Sequence, residues 1–212
     1  MTSKTRGKLI TLEGVEGAGK SSQVAYIQEL VEQSGYSVLT TREPGGTPLA
    51  EDIRRVLLNG ESMPVMTELL LMFAARSSHY QDKIEPALAS GVWVICDRFI
   101  DASYAYQGAG RGIENHHIEA LEAMTLLGAK PDLVCLFDLD VELGFKRTER
   151  RGEQNRFDLE DVAFMQRVRD AYLDRMTADP ERYALIDAAL NMPEVSLQLN
   201  PVIEKLLRVA HV

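Results

Sequence analysis

Eight consecutive residues decide the fold of this chain: GVEGAGKS, residues 14–21. They match the pattern G-x4-G-K-S, in which glycines let backbone N–H groups converge on phosphate oxygens. An apolar run at residues 8–12 precedes them and predicts a buried strand, and a helical period through residues 24–31 follows. Because the motif requires this strand–loop–helix context, we interpret the stretch as a phosphate-binding loop; a glycine-rich turn without a ligand is the alternative.

Nine residues of the loop and the following helix form the predicted ATP-binding set: Gly14, Val15, Glu16, Gly17, Ala18, Gly19, Lys20, Ser21 and Ser22. Lys20 is expected to reach the β- and γ-phosphates, and Ser21 is expected to ligate Mg²⁺. Glu16 is the unexpected member, because a carboxylate among phosphates is costly unless it faces a hydroxyl, a water or an arginine. The alternative is that the Glu16 side chain points to solvent.

Short apolar runs alternate with helical patterns along the chain. Strands are predicted at residues 8–12, 36–41, 92–97, 132–139 and 182–187, and helices at 48–59, 64–89, 114–128, 141–151, 159–177 and a C-terminal segment. Pro201 interrupts the last pattern, so that helix either kinks there or starts at Asn200. The alternation predicts an α/β fold: one domain over residues 1–212, with a five-stranded parallel sheet between helices on both faces.

Composition limits the partners. The chain has 212 residues and a net charge of −9, which argues against nucleic-acid binding because phosphate neutralisation needs a basic face. No run approaches the roughly 18 apolar residues of a membrane span, and the polar start lacks a signal core, so we expect a cytoplasmic protein without a membrane partner. Cys96 and Cys135 lie in apolar runs and are predicted to be buried thiols.

Asp97 and Arg98 end the predicted third strand. A carboxylate at the carboxyl end of a buried strand is well placed near a Mg²⁺ ion, so Ser21 and Asp97 form the predicted metal set. Arg98 beside it is a candidate to bind a second phosphate. The alternative for this pair is a structural ion pair at the end of the strand.

The segments TREPGGT and MTELLLMFAARSSHY supply candidates for an acceptor site. Arg42 and Pro44 lie in a tight loop after the second strand, at the expected ligand edge of the sheet. The spacing i, i+3, i+4, i+7 predicts a mainly buried stripe, made of Met66, Leu69, Leu70 and Phe73. Arg76 shares this face, and an aromatic ring beside a guanidinium suits a planar base.

Two further segments carry polar contacts. In SYAYQGAGRG, the glycine spacing mimics a dinucleotide fingerprint, but no apolar strand precedes it, so a flexible loop bearing Ser103, Tyr106 and Gln107 is predicted instead. The segment KRTERRGEQNRFD is rich in arginine within a net-acidic chain. A solvated helix face is one interpretation of this run; a mobile lid over about residues 147–158, carrying cations to the phosphates, is the one we favour.

Several nucleotide-binding classes fit this pattern less well. Guanine-specific switch proteins usually carry an Asn-Lys-x-Asp motif, which this chain lacks. A motor or ring ATPase would need more chain. The phosphate loop therefore predicts binding of ATP or GTP with Mg²⁺, and the small size favours a kinase of a small metabolite.

The motifs EGVEGAGKSSQ, TREPGGT, LLLMFAAR, DRF and AYQGAGRG, together with the arginine-rich segment, resemble the thymidylate kinase family over about residues 8–209. The resemblance implies a P-loop kinase fold and transfer of the γ-phosphoryl group of ATP to dTMP, giving dTDP for the dTTP supply of DNA synthesis. It also implies a homodimer. The arginine-rich lid is similar to that of the bacterial type.

The resemblance implies roles for single residues. Phe73 would stack on thymine, Arg76 would bond its O4, Ser103 and Gln107 would lie near the base, and Tyr106 would crowd the 2′ side of the sugar. Arg98 would hold the dTMP phosphate, Arg147 would pack near adenine, and Arg151 with Arg150 would reach the ATP phosphates. The predicted catalytic set is therefore Lys20, Arg98, Arg151, Arg150 and Glu16, and the predicted acceptor set adds Arg42 and Pro44.

Family members carry an acidic residue at the position of Glu16, near the sugar and phosphate of the acceptor. Some follow it with an arginine, where this chain has Gly17. The resemblance therefore assigns the missing cation to the lid. Asp158 departs from the commoner glutamate, which leaves its role open. The rival hypotheses are a kinase for another nucleotide or deoxynucleoside and a nucleotide sensor without turnover.

Overall fold

The computed structural model describes residues 5–59, 62–151, 156–157 and 160–210, without the side chains of residues 150 and 151. A five-stranded sheet forms its centre, with every neighbouring pair of strands parallel and the order β2-β3-β1-β4-β5. The strands are β1 (Leu9–Glu13), β2 (Val38–Arg42), β3 (Trp93–Asp97), β4 (Leu133–Asp138) and β5 (Tyr183–Asp187). This confirms the predicted sheet to within one or two residues at most strand ends.

The described helices are α1 (Lys20–Gln33), α2 (Pro48–Asn59), α3 (Val65–His79), α4 (Glu85–Ala89), α5 (Ile100–Ser103), α6 (Asn115–Leu126), α7 (Val141–Arg151), α8 (Val162–Ala178) and α9 (Met192–Ala210). A π-helical segment, Tyr80–Ile84, joins α3 to α4, so the predicted helix at 64–89 is one helical run. Helix α9 passes through Pro201, and a start at Asn200 is therefore wrong.

Consecutive side chains of a strand point to opposite faces of the sheet, and in the central strands both sets are mainly apolar and buried, so both faces of the sheet are covered. In β3, Trp93 and Ile95 join one hydrophobic cluster, whereas Val94 and Cys96 join a second cluster. Strand β1 is buried along its whole length. Cys96 and Cys135 are free and buried, as predicted.

The register of the strands places the candidate site residues at one edge of the sheet. Arg42, the last residue of β2, pairs with Asp97, the last residue of β3, and Asp97 pairs in turn with Leu12 of β1. The phosphate loop, the segment after β2 and the segment after β3 therefore start at the same end of the sheet, where ligands of open α/β sheets bind.

The segment after β3 corrects one prediction. Residues 100–110 are helical, α5 followed by a π-helical segment at Tyr104–Gly110, and do not form a flexible loop. The glycines allow close packing: a Cβ on Gly108 would lie 3.2 Å from Ile118 Cδ1, and one on Gly110 would lie 2.7 Å from the Phe164 ring. The sequence pattern suggested chain flexibility, whereas the missing side chains make room for neighbouring helices.

Helix α3 corrects another prediction. Leu69 and Phe73 are buried, but Met66 and Leu70 are 40% and 51% exposed. The buried face of α3 instead carries Glu68, Arg76 and His79 beside its apolar residues, because three polar side chains find partners inside the protein. No described helix is long and apolar enough to cross a membrane.

Candidate functional site

A cavity of about 590 Å³ opens at the carboxyl edge of the sheet. Its walls come from the phosphate loop and α1, from the segments after β2 and β3, and from α2 and α3. The lining residues are Glu16, Lys20, Ser21, Arg42, Glu43, Pro44, Arg54, Leu58, Asn59, Met72, Arg76, Asp97, Arg98, Ala102, Ser103, Tyr106, Gln107 and Phe157. Eleven of the predicted site residues therefore meet in one cavity.

The phosphate loop wraps around Lys20. Its Nζ donates to the carbonyl oxygens of Gly14 and Val15, both at 2.9 Å, and the residue is only 6% exposed. Burial, reinforced by the nearby Arg98 cation, lowers the pKa of Lys20 from 10.5 to about 8. An ammonium group held in this way is ready to exchange loop carbonyls for phosphate oxygens.

Gly17 packs directly against helix α7. With φ at +77°, it occupies the left-handed region, and a Cβ built on it would lie 2.5 Å from the carbonyl oxygen of Gly144. Gly144 has the same restriction, since its own Cβ would lie 2.7 Å from the Glu16 carbonyl oxygen. A cationic side chain at position 17 therefore does not fit this packing, in agreement with the glycine found there.

Glu16 faces an arginine. Arg98 Nη2 donates to Glu16 Oε1 at 2.8 Å, and both side chains are largely buried. Arg98 Nη1 also donates to the Gly14 carbonyl oxygen at 3.0 Å, and its guanidinium lies 4.9 Å from the centre of the Tyr106 ring. This contact answers the question that Glu16 raises and argues against the solvent-facing alternative, because the carboxylate fixes a cation beside the phosphate loop.

Arg98 occupies an unusual backbone conformation, with φ at +66°. Buried Glu13 holds the turn: its Oε1 accepts from the Phe99 backbone N–H at 2.7 Å and its Oε2 accepts from the Tyr172 hydroxyl at 2.9 Å. Burial, followed by the charge of Asp101, raises the pKa of Glu13 to about 8. Sequence reasoning missed Glu13, although a carboxylate ending an apolar strand was a visible signal.

Ser21 and Asp97 meet, with Ser21 Oγ donating to Asp97 Oδ2 at 2.5 Å. A hydroxyl and a carboxylate are the hard oxygen donors that suit Mg²⁺, which usually binds one or two protein groups beside substrate phosphates and water. The donor chemistry of the predicted metal set therefore fits this ion.

Cations line the wall that leads from the phosphate loop toward α2. Arg42 pairs with Glu51 at 3.0 Å, and Arg54 Nη1 donates to the Pro44 carbonyl oxygen at 2.8 Å. Burial and the neighbouring Arg42 lower the pKa of Arg54, as expected where like charges share a site. Sequence reasoning missed Arg54. It lies four residues after buried Ala50 and three before buried Leu57, the same signal of a charge on an apolar face that identified Arg76.

Arg76 lines the cavity and is 3% exposed. Its Nε donates to Glu43 Oε2 at 2.7 Å, its Nη1 to Ser103 Oγ at 2.8 Å and its Nη2 to the Phe99 carbonyl oxygen at 2.9 Å. The predicted base-site residues Arg76 and Ser103 are thus in direct contact.

Met72, rather than its neighbour Phe73, lines the cavity on this part of α3. Phe73 is 2% exposed, its ring lies 4.9 Å from the Arg76 guanidinium, and it is not among the lining residues of the cavity. Met72, which sequence reasoning missed, lines the cavity. Stacking of Phe73 on a base stays a prediction, and its position favours support of Arg76 from behind.

Tyr106 and Gln107 line the cavity from the π-helical segment. The Tyr106 ring meets the Phe157 ring edge-on at 5.7 Å, and Gln107 Nε2 donates to buried Glu68 Oε1 at 2.8 Å. Glu68 Oε2 also forms an ion pair with Arg156 at 2.7 Å. Phe157 therefore contributes to the wall of the cavity beside Tyr106, and Arg156 contacts Glu68, the partner of Gln107.

The arginine-rich segment is described only in part. Arg147 Nη1 donates to the Ala188 carbonyl oxygen at 2.8 Å, which ties α7 to the segment after β5. The side chains of Arg150 and Arg151, and all of Asp158, lie outside the described residues. Their predicted roles, and the lid itself, stay predictions.

Comparison with known proteins identifies the family. The family model described as thymidylate kinase matches residues 12–199. Thymidylate kinase from Alcanivorax borkumensis is 48% identical over 202 residues, 94% of this chain and 97% of the relative, and that from Pseudomonas fluorescens is 51% identical over 203 residues, 95% and 97% of the two chains.

A solved structure agrees. The crystal structure of thymidylate kinase from Ehrlichia chaffeensis is similar with a TM-score of 0.77 and 32% identity, covering 94% of this chain and 99% of that chain. The fold is therefore the P-loop NTPase fold that the phosphate loop predicted. This chain belongs to the thymidylate kinase family, whose members phosphorylate dTMP to dTDP with ATP.

Proposed function

We propose that the cavity binds dTMP with its phosphate toward Arg98 and its base toward Arg76. The observation that carries this orientation is that one cavity is lined both by Lys20 and Ser21 of the phosphate-loop motif and by Arg76, Ser103 and Gln107. The cations Arg42 and Arg54 lie on the phosphate side, and the apolar Met72 side chain offers a surface for a pyrimidine.

The donor half follows from the phosphate loop. Residues 14–22 cradle the ATP phosphates, and Lys20 stabilises charge on the group in transfer. The acceptor phosphate is already anionic, so in-line attack on the γ-phosphorus needs no general base. Glu16 acts through Arg98 by holding its guanidinium where the acceptor phosphate binds.

Ser21 and Asp97 would hold Mg²⁺, directly or through water. When bound, the ion neutralises charge on the β- and γ-phosphates. Arg147, with the segment after β5, forms the side of the site on which adenine binds, and the lid over about residues 147–158 brings Arg150 or Arg151 to the phosphates. The predicted cytoplasmic location stays a prediction.

We also propose a homodimer through α3 and α6. These helices pack against each other. On α3, Met66 and Leu70 are 40% and 51% exposed, and on α6 and just after it Met124 and Leu127 are 73% and 77% exposed. An exposed apolar stripe on adjacent helices is typical of a subunit interface. Sedimentation should give the mass of a dimer, and Leu70→Lys should shift the protein toward the monomer.

The test of the function is a coupled ADP-release assay with ATP and Mg²⁺ against dTMP, dUMP, dCMP, dGMP, AMP, UMP and thymidine. We expect fast turnover with dTMP, slower turnover with dUMP and almost none with the others. Preference for a different acceptor would overturn the orientation of the base. Measurable ATP binding without turnover on any acceptor would support the sensor hypothesis instead.

A further inference from the structure

A buried polar chain runs beneath the loop after β2 and ends at Arg76. Thr41 Oγ1 lies 2.7 Å from His79 Nε2, His79 Nδ1 lies 3.0 Å from Glu43 Oε1, and Glu43 Oε2 accepts from Arg76 Nε at 2.7 Å. His79 is 0% exposed and Glu43 is 5% exposed. Two different elements, the loop and α3, therefore meet through side chains that water hardly reaches.

Glu43 fixes the direction of donation in its contacts with His79 and Arg76. A carboxylate paired with an arginine accepts hydrogen bonds and donates none, so Nδ1 of His79 must carry the proton that lies toward Glu43. In neutral imidazole the other nitrogen then accepts, and the Thr41 hydroxyl donates to Nε2. Glu43 thus fixes the Nδ1 proton of His79, Thr41 contacts the other ring nitrogen, and the histidine held between them orients the carboxylate.

The second glycine of TREPGGT makes this arrangement possible. Gly46 has φ at +92°, and a Cβ built on it would lie 2.4 Å from two atoms of the His79 ring and 2.7 Å from Thr41 Oγ1. Any larger residue would push the imidazole away from the loop. Gly46 is therefore needed for the histidine contact as well as for the turn.

The buried polar chain ends at the guanidinium of Arg76, which three hydrogen bonds hold in place. Glu43, Ser103 and the Phe99 carbonyl oxygen account, among the described residues, for three of the five N–H groups of Arg76. One N–H on each terminal nitrogen remains for a ligand in the cavity. Because the Nε contact sets the plane of the guanidinium, its loss would free the group to turn.

We propose that Glu43 and His79 are positioning residues that set the base selectivity of the acceptor site by fixing Arg76. This inference rests on the proposed base-reading role of Arg76. Neither residue takes part in phosphoryl transfer. Together they direct the N–H donors of Arg76 toward a carbonyl oxygen of the pyrimidine. A base with an amino group at the same ring position is disfavoured, because its N–H donors would face the N–H donors of Arg76.

The experiment compares Glu43→Gln, His79→Asn and His79→Leu with Arg76→Ala as reference and Glu85→Gln as control. Glu85 pairs with Arg6 at the surface, so its variant loses an ion pair outside the site. For Glu43→Gln we expect KM for dTMP to rise about tenfold, with kcat and KM for ATP within about twofold of the parent, and the preference for dTMP over dCMP to fall.

The two histidine variants separate positioning from general loss of structure. An asparagine amide can still donate toward Glu43, whereas leucine cannot, so His79→Asn should keep KM for dTMP closer to the parent value than His79→Leu does. The double variant Glu43→Gln/Arg76→Ala should match Arg76→Ala alone, because residues that act through one another are not additive. ATP binding and thermal melting verify that each variant is folded.

Two results would contradict the inference in different ways. If Arg76→Ala weakens dTMP binding while Glu43→Gln and His79→Leu keep the parent KM and base preference, the positioning role is wrong and the proposed function stands. If Arg76→Ala itself leaves dTMP binding unchanged, the base-reading role of the proposed function fails and the positioning role fails with it.

Discussion

The donor and acceptor halves of the cavity are built from different kinds of atoms. The proposed donor half is one run of residues, 14–22, of which Glu16, Lys20 and Ser21 line the cavity, and its Lys20 Nζ donates to carbonyl oxygens of the same loop. The acceptor half gathers side chains from β2, α2, α3 and the segment after β3, and buried partners such as Glu43, Glu13 and Glu68 hold them. Phosphate binding needs a local turn, whereas base recognition needs a tertiary assembly.

This difference predicts which substitutions affect a single step and which also act on neighbouring residues. A change of Lys20 in the loop should affect the γ-phosphoryl transfer and leave dTMP binding nearly intact, whereas Glu16 in the same loop acts on dTMP binding through Arg98. A change in the acceptor half should affect dTMP binding, and it often acts through a second residue because the reading groups are held by buried carboxylates.

Lys20→Ala tests the donor half with the largest expected effect. Removing the cation from the phosphates should lower kcat by roughly 10²–10³-fold, with little change in KM for dTMP. A steady-state ADP-release assay measures both. Lys8→Ala is the matched control, since Lys8 pairs with Asp132 outside the cavity. A near-normal rate would overturn the role of the phosphate loop.

Arg98→Ala tests the junction of the two halves. It should raise KM for dTMP by roughly thirtyfold, because a charge-assisted contact to the acceptor phosphate is lost and Glu16 is left facing that phosphate. Adding Glu16→Gln should restore part of the loss by removing the repulsion. If the second change made binding weaker still, Glu16 would have a role beyond holding Arg98.

A comparison of Met72→Ala with Phe73→Leu tests which of the two side chains contacts the base in the acceptor half. Met72→Ala should raise KM for dTMP about tenfold, while Phe73→Leu should mainly lower the free energy of unfolding, by about 1 kcal/mol. Kinetics and thermal melting separate the two effects. The reverse pattern would return the base contact to Phe73.

The pKa of Lys20 gives the smallest expected effect. Because its folded pKa of about 8 lies below the ordinary 10.5, the folded protein binds fewer protons between these values, and this group makes folding more favourable as pH rises through that window. ATP should bind the charged form, so its affinity should fall about tenfold per unit above pH 8 and binding should take up protons.

Calorimetry in buffers of different ionisation heat measures that proton uptake. The Lys20→Met variant is the control, since Glu13, whose pKa is also raised to about 8, is retained in it. Uptake that persists unchanged in the variant would assign the effect to Glu13 or another group.

The contrast between the halves also explains which features could be predicted from the sequence. The phosphate loop and the five strands follow from spacing and apolar runs, which are local signals. Met72 and Phe73 are neighbours about 100° apart on a helix, and periodicity alone did not decide which one faces the cavity. The glycines of residues 104–110 predicted a loop because their packing partners, Ile118 and Phe164, are remote in sequence.

Charge on an apolar face proved the most useful signal for the acceptor half. It identified Arg76, and applied to α2 it would have identified Arg54. Glu43 was not predicted as a site residue, because nothing local in TREPGGT indicates that its carboxylate turns inward to an arginine 33 residues away. Such contacts require the fold.

The most direct test of the separation between the halves is a calorimetric titration of Arg76→Ala with dTMP and, separately, with ATP and Mg²⁺. We expect the Kd for dTMP to rise by at least about tenfold and the Kd for ATP to stay within about twofold of the parent value. An equal loss of affinity for both nucleotides would contradict it, because Arg76 would then support the whole cavity rather than read the base of the acceptor.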